Sequence, residues 1–332
     1  MLELWRGDAG RCKPVSTAGS PPPAGLTIRV AALLVVPPLM WAGNALVGRL
    51  LAGTLPPLTL NALRWGVALL LLLPLAAAVL ATPARRREIL QRWKPLALLG
   101  GLGVGAYNAL QYLALQTSSP INVTLIASSV PLWMMLIGIA FYREHPRPAQ
   151  WLGAALSALG VLTVLLRGDL GALRQLQLVP GDLWMLLAAL SWALYSWQLA
   201  RPPAALSGAQ RPAWDWAGFL LLQVMFGLLW AGGGAGLEAL LGVAPTPSVA
   251  PVGGWALAAA LLFLGLGPSV LAYRCWGIGV AAVGPAVAGF FSNLTPLFAA
   301  LLSALALGEP PRAYHGIAFA CIVGGIWLSS RR

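Results

Sequence analysis

The stretch SPINVTLIASSVPLWMMLIGIAFYREHPRP, residues 119–148, has a counterpart 165 residues further on, GPAVAGFFSNLTPLFAALLSALALGEPPRA at 284–313. Laid over one another without a gap, Pro120 falls on Pro285, Pro131 on Pro296, Glu144 on Glu309, Pro146 on Pro311 and Arg147 on Arg312. Beyond the quoted stretch, Gly160 meets Gly325 at the same offset. Leucine on leucine carries no weight in an apolar chain. Identities at proline, glycine and charged positions do, because each has its own backbone or solvation consequence. The chain reads as a duplication, one copy in each half.

The solvent of the duplicated unit follows from composition. Of 332 residues, 59% are hydrophobic and 9% are charged, and the mean hydropathy is +0.79. A water-soluble domain carries roughly 25% charged residues, so this chain is built for a lipid bilayer. The net charge of +12 raises the question of nucleic acid. The basic residues, however, sit in short turns between apolar runs, as the positive-inside rule requires, and nucleic acid is set aside as a partner. Cys12, Cys275 and Cys321 lie far apart and form no CxxC or Cys/His cluster. No disulfide framework, metal site or cofactor is expected.

A helix needs about 20 apolar residues to cross the hydrocarbon. That ruler picks out ten segments, near 29–51, 58–81, 94–115, 119–142, 148–166, 182–200, 214–235, 254–276, 284–307 and 311–329. Residues 1–28 are polar and rich in Gly, Pro and Ser, carry no signal-peptide pattern, and read as a disordered cytoplasmic tail. With the N-terminus inside, 16 of the 21 basic residues fall on the cytoplasmic side, the exceptions being Arg49, Arg64, Arg167, Arg174 and Arg312. The expected fold is all-α and polytopic, with both termini cytoplasmic in a plasma (inner) membrane. Residues 29–166 and 182–329 form two five-helix repeats. Five is odd, so the halves enter the membrane from opposite faces. Inverted repeats of this kind characterise many secondary transporters. Nothing in the pattern sets an oligomeric state, and a monomer is compatible with it.

Polar side chains at membrane depth are the functional candidates. The nine acidic residues fall in tails, loops or helix ends, so simple ion coupling through a buried carboxylate is disfavoured. His145 and His315 read as surface groups near helix ends. The remaining candidates are neutral or aromatic: Asn44, then Tyr107, Asn108 and Gln111 one turn apart, Ser128, then Ser191, Trp192, Tyr195 and Gln198 at helical spacing, Tyr273, Ser292 and Asn293. Apolar walls with a few polar groups suit a small uncharged or zwitterionic amphiphile. Pro131 and Pro296 are read as equivalent mid-helix breaks, and GGLGVGAYN and GLGPSVLAY as glycine-weakened stretches of the third and eighth segments. Arg64 penetrates its segment, and from the outer helix end it could snorkel to the surface. Trp65, Trp93, Trp151, Trp184, Trp214, Trp216, Trp255 and Trp327 read as interface anchors.

Several short motifs resemble the EamA-type family of drug/metabolite transporters. Trp41 and Asn44 in MWAGNALVGR resemble its first helix, and LPPLTLNALRWGVALLLL, with Pro56-Pro57 and Arg64-Trp65, its second. LGEPPRAYHGIAFACIVGGIWL is similar to its repeat-end pattern of Gly-Glu-x-Pro; in the first half Arg143 stands where that pattern has Gly. The resemblance covers about residues 30–330. It implies a ten-helix carrier with a central cavity and a small-metabolite substrate such as an amino acid, often moved outward. By the same resemblance the third- and sixth-segment residues contact substrate, while Arg64, Pro131, Pro296, Glu144 and Glu309 are structural or gating. Alternatives are an uptake or exchange carrier for a vitamin or nucleoside-like metabolite, and a non-transporting membrane scaffold. An intramembrane enzyme would need clustered acids, histidines or a nucleophile–base pair, which the sequence does not offer.

Overall fold

The structure, a computed structural model, describes residues 26–167, 171, 177–245, 250–307 and 313–331. The described residues are overwhelmingly helical and contain no strand. Eight stretches among them are long and apolar enough to cross a bilayer: Ile28–Leu51, Pro57–Leu80, Asn122–Tyr142, Pro148–Leu165, Pro180–Ala200, Trp216–Leu240, Gly254–Ser292 and Ala313–Ser330. In chain order the helices are α1 (Ile28–Leu51), α2 (Pro57–Ala76), α3 (Pro83–Gln91), α4 (Trp93–Gly100), α5 (Tyr107–Thr117), α6 (Pro120–Ala127), α7 (Val130–Tyr142), α8 (Pro148–Leu165), α9 (Pro180–Ala200), α10 (Trp216–Leu240), α11 (Gly254–Leu264), α12 (Ala272–Ser292), α13 (Leu294–Leu307) and α14 (Ala313–Ser330).

The segments expected at 94–115 and 254–276 are not continuous α-helices. A π-helical segment, Gly101–Ala106, separates α4 from α5, and a second, Gly265–Leu271, separates α11 from α12. They lie about 165 residues apart, the offset of the sequence repeat. A π turn displaces carbonyls from their usual partners, and at membrane depth such groups must be satisfied by protein. Three successive carbonyls of the first segment are satisfied in this way. The Ser191 hydroxyl donates to Leu102 O at 2.8 Å, the Tyr273 hydroxyl to Gly103 O, and Asn61 Nδ2 to Val104 O at 3.2 Å. Further on, Gly284 takes φ 81° within α12, a left-handed conformation suited to glycine, so the chain turns there rather than running as one 39-residue rod.

The two prolines read as mid-helix breaks do sit at interruptions of helical bonding. Ser128, Ser129 and Asn293 keep right-handed helical φ/ψ but leave the regular bonding just before them, so Pro131 and Pro296 occupy the first turns of α7 and α13. There a missing N–H costs no hydrogen bond, because the first-turn amides have no intrahelical partner. Ser128 and Asn293, the two capping positions, are again 165 apart.

Two buried carboxylates fasten helix starts. Glu238, near the end of α10, accepts hydrogen bonds from Leu58 N at 2.8 Å, Thr59 N at 2.7 Å and Thr59 Oγ1 at 2.9 Å, capping α2 across the fold. Asp182 accepts from the Ser118 hydroxyl, from Asn122 Nδ2 at 3.1 Å and from Val179 N at 3.0 Å, joining α9 to the α5–α6 connection. Negative charge at a helix N-terminus also meets the positive end of the helix dipole. Glu144, by contrast, forms a half-exposed ion pair with Arg201, a contact of small energetic weight. Glu309 lies outside the described residues, as do 1–25 of the expected tail.

Helices α8 and α14 pack antiparallel through small residues. A Cβ on Gly153 would stand 2.7 Å from Gly325 O, one on Gly325 would stand 2.6 Å from Gly153 O, and one on Gly160 would stand 2.8 Å from Ala318 O. Each close approach is against backbone, which cannot swing aside as a side chain can. We therefore expect Gly325→Leu to destabilise the protein by about 1–3 kcal/mol or more, read as a lowered melting temperature in detergent. Gly316→Ala on the same helix, where the added methyl meets open space, should be neutral or stabilising by up to about 1 kcal/mol.

Candidate functional site

The Arg64 side chain is fully buried, with 0% exposure, and does not snorkel. A guanidinium has five N–H donors and no acceptor, so it organises whatever oxygens surround it. Its Nη1 donates to Asn44 Oδ1 at 3.0 Å, Asn108 Oδ1 at 2.8 Å and the Tyr112 hydroxyl at 3.3 Å. Its Nε and Nη2 donate to Ser269 Oγ at 3.2 and 2.9 Å, and Ser269 in turn donates to Leu264 O at 2.7 Å. The Tyr112 hydroxyl donates to Asn44 Oδ1 at 3.0 Å. Among the described residues Arg64 has no salt bridge. Its charge is held by neutral oxygens from α1, α5 and the second π segment, with its Cζ 5.3 Å from the Trp65 ring centroid.

Because Arg64 can only donate, it takes both asparagines by their oxygens, and their NH2 groups are the ends not spent on it. Asn44 and Asn108 also line a cavity of about 90 Å³ bounded by α1, α5, α6, α9, α12 and α13. Of the twelve neutral and aromatic candidates, eight line this cavity: Asn44, Tyr107, Asn108, Gln111, Ser128, Trp192, Ser292 and Asn293. They come from five separate stretches of chain. Pro296 joins them, and so do Trp41 and Thr124.

Two buried polar atoms of the lining residues have no protein partner, the indole Nε1 of Trp192 and Oδ1 of Asn293. The other end of the Asn293 amide donates to Ser157 Oγ at 2.9 Å, which fixes the orientation of the side chain. Ser128 and Ser292 each donate back to a carbonyl three residues earlier, at 2.6 Å, shaping the helix breaks. Buried polar groups are nearly always satisfied, so an unpartnered donor and an unpartnered acceptor beside one cavity set its lining apart from the rest of the packed interior.

Tyr195 and Tyr273 do not line this cavity. Their hydroxyls are engaged, Tyr195 donating to Gln223 Oε1 at 2.9 Å and Tyr273 to the Gly103 carbonyl. Both rings face a second, wider chamber of about 950 Å³ between α9, α10 and α12. The Trp192 indole stands between the two spaces. Its centroid is 5.1 Å from Trp41 and 5.0 Å from Tyr107 on the cavity side, and 5.1 Å from Tyr195 and 5.4 Å from Tyr273 on the other. Trp276, 5.3 Å away, braces the same ring.

Other sequence expectations need correcting. Trp65 is fully buried against Tyr273, and Trp214 and Trp216 line the wider chamber. Trp93, Trp151, Trp184, Trp255 and Trp327 are exposed, as interface anchors are. His315 is buried beside Tyr314 rather than on the surface. The sequence reading missed Tyr112, Ser269 and Trp276. Tyr112 lies one turn after Asn108, a spacing that placed it within reach. Ser269 was inside the quoted GLGPS stretch, but only the fold brings it to Arg64.

Against known proteins, the model of the EamA-like transporter family matches residues 28–166 and again 179–331. The chain is 30% identical over 287 residues to the aromatic amino acid exporter YddG of Ancylobacter novellus, covering 86% of this chain and 92% of that protein. It is 27% identical over 258 residues to the probable terminal-alkyne amino-acid exporter of Streptantibioticus cattleyicolor, covering 77% and 80%. A solved crystal structure superposes with a TM-score of 0.67 at 25% identity, over 91% of this chain and 97% of the other. With both halves matched by one family model and eight apolar helices of spanning length, the chain belongs to the EamA-like transporter family of multi-pass membrane proteins.

Proposed function

We propose that this transporter exports, or equilibrates down a gradient, zwitterionic amino acids with an aromatic or similarly apolar side chain. The observation that carries the reading is the buried Arg64, which holds Asn44 and Asn108 by their oxygens at the wall of an aromatic cavity. A positive charge behind that wall, amide NH2 groups and the Trp192 N–H suit a carboxylate. The unpartnered Asn293 oxygen suits an ammonium. Trp41, Tyr107 and Trp192 supply a surface for an apolar or aromatic side chain. Two relatives whose names specify amino-acid exporters support the same class.

The proposed mechanism is alternating access between two inverted five-helix halves, ten crossings in all, with both termini cytoplasmic. In this count α4, the first π segment and α5 make the third crossing. Gly284 ends the eighth, and the stretch from Pro285 through α13 makes the ninth. A two-fold relation between the halves is supported by the α8–α14 seam. Shifting by 165 residues carries Gly153 to Ala318 and Gly160 to Gly325, so the Gly153–Gly325 approach becomes the Ala318–Gly160 approach. That reciprocal pairing is what a two-fold axis produces. The small cavity volume fits an occluded arrangement, since ligand pockets usually run to about 300 Å³ or more. Helices must part to admit a substrate.

Three outcomes are expected. Protein reconstituted in liposomes should accumulate radiolabelled L-phenylalanine by counterflow, with Trp192→Ala or Tyr107→Ala weakening it roughly ten-fold, the loss of one buried aromatic contact; absence of counterflow with every aromatic amino acid would overturn the substrate class. Arg64→Lys keeps the charge but loses the planar fork that spans Ser269 and both asparagines, so binding should weaken about ten-fold or more. Full rescue by lysine would reduce Arg64 to a point charge. In a background lacking Cys12, Cys275 and Cys321, single cysteines at 144 and 309 should label from opposite membrane faces. Labelling of both from one face would end the inverted-repeat mechanism.

A further inference from the structure

We infer that the wider chamber between α9, α10 and α12 is a second substrate site, an antechamber that captures the carboxylate of an aromatic acid through Arg274. The inference takes its substrate class from the proposed function. Arg274 is half-buried in the chamber wall, with its Cζ 4.7 Å from the Trp216 ring centroid. Among the described residues it makes no hydrogen bond and no salt bridge. Asp215 lines the same chamber and acts on Arg274 through its charge without forming a salt bridge; its carboxylate accepts from Gly218 N at 2.7 Å and caps α10. Arg211 adds a second cation at the chamber edge, so the lining carries an excess of positive charge.

A guanidinium stacked on an indole keeps its in-plane N–H edges available for a bidentate carboxylate, while the stacking offsets part of its desolvation. Phe219 and Ile278 offer apolar surface for the rest of the ligand. At about 950 Å³ the chamber holds an amino-acid-sized molecule without rearrangement, unlike the 90 Å³ cavity beyond Trp192. Trp192 on the wall of the small cavity meets Tyr195 and Tyr273 on the wall of the chamber, so the two sites lie in series across that aromatic layer. A substrate bound at Arg274 waits against Tyr195 and Tyr273 until Trp192 moves.

The test is photolabelling of the full chain in lipid nanodiscs with benzoylbenzoate, a photoreactive aromatic acid, with adducts mapped by mass spectrometry. Adducts should fall on the chamber-lining parts of α10 and α12. They should drop roughly ten-fold in Arg274→Gln, the loss of one charge-assisted hydrogen bond, and recover in part in Arg274→Lys. Methylbenzophenone, which has no carboxylate, should label the wild type and Arg274→Gln alike. In reconstituted protein, Arg274→Gln should raise the KM for L-phenylalanine presented on the chamber side about ten-fold with little change in the maximal rate. Chamber labelling that ignores the Arg274 substitution, or that falls equally with the neutral probe, would overturn the antechamber whether or not amino acids are carried. Arg274-dependent labelling without any amino-acid counterflow would leave the antechamber standing and remove only the proposed substrate.

Discussion

A guanidinium buried in a membrane protein without a carboxylate must find neutral oxygens or not be buried at all, and that constraint organises this structure. An arginine at the centre of a spanning helix costs about 2.5–3.5 kcal/mol on insertion scales. Here the cost is offset by oxygens from Asn44, Asn108, Tyr112 and Ser269. Those four residues belong to α1, α5 and the second π segment, so one side chain on α2 holds three other stretches in register. The same demand orients the cavity: amides held by their oxygens present NH2 groups elsewhere. One residue thus both satisfies its own charge and fixes the orientation of the two cavity amides.

The π segments meet a related constraint. Irregular backbone survives in a bilayer only where protein or water satisfies it. Ser191, Tyr273 and Asn61 do so for the first segment, from three different helices. Tyr273 is therefore a strut for the backbone as well as part of a chamber wall. The glycines of GGLGVGAYN have a second role in close packing. A Cβ on Gly100 would stand 2.6 Å from Gln223 O and from Gly227 N on α10, and one on Gly103 would stand 2.7 Å from the Tyr195 ring. Backbone irregularity and tight packing are therefore both present at those glycines.

The helices divide by the kind of contact they make. The α8–α14 seam is backbone against backbone through glycine, an arrangement with little freedom to slide. Around Trp192 the contacts are ring against ring at about 5 Å, and aromatic pairs tolerate several geometries of similar energy. A rigid glycine seam and an adjustable aromatic partition are compatible with the proposed alternating access, in which the middle opens while the frame persists.

Much of this was legible in the chain itself. Low charge and long apolar runs dictate a helical membrane protein, because only helices or closed barrels satisfy their backbone in lipid. The match of Pro131 to Pro296 and of Glu144 to Glu309 exposed the duplication, since such identities do not arise from apolar composition. Helical spacing also grouped Tyr107, Asn108 and Gln111 correctly on the cavity. What composition and spacing could not decide was which side chains face each other across helices. Arg64 looked free to snorkel, Trp65 looked like an anchor, and Tyr195 and Tyr273 looked like neighbours of Asn293. Only tertiary packing brings Ser269 to Arg64 from 205 residues away and sets Trp192 between two chambers. Contacts between distant helices depend on how each helix is rotated about its axis, and that rotation is fixed by packing against neighbours rather than by a helix's own sequence.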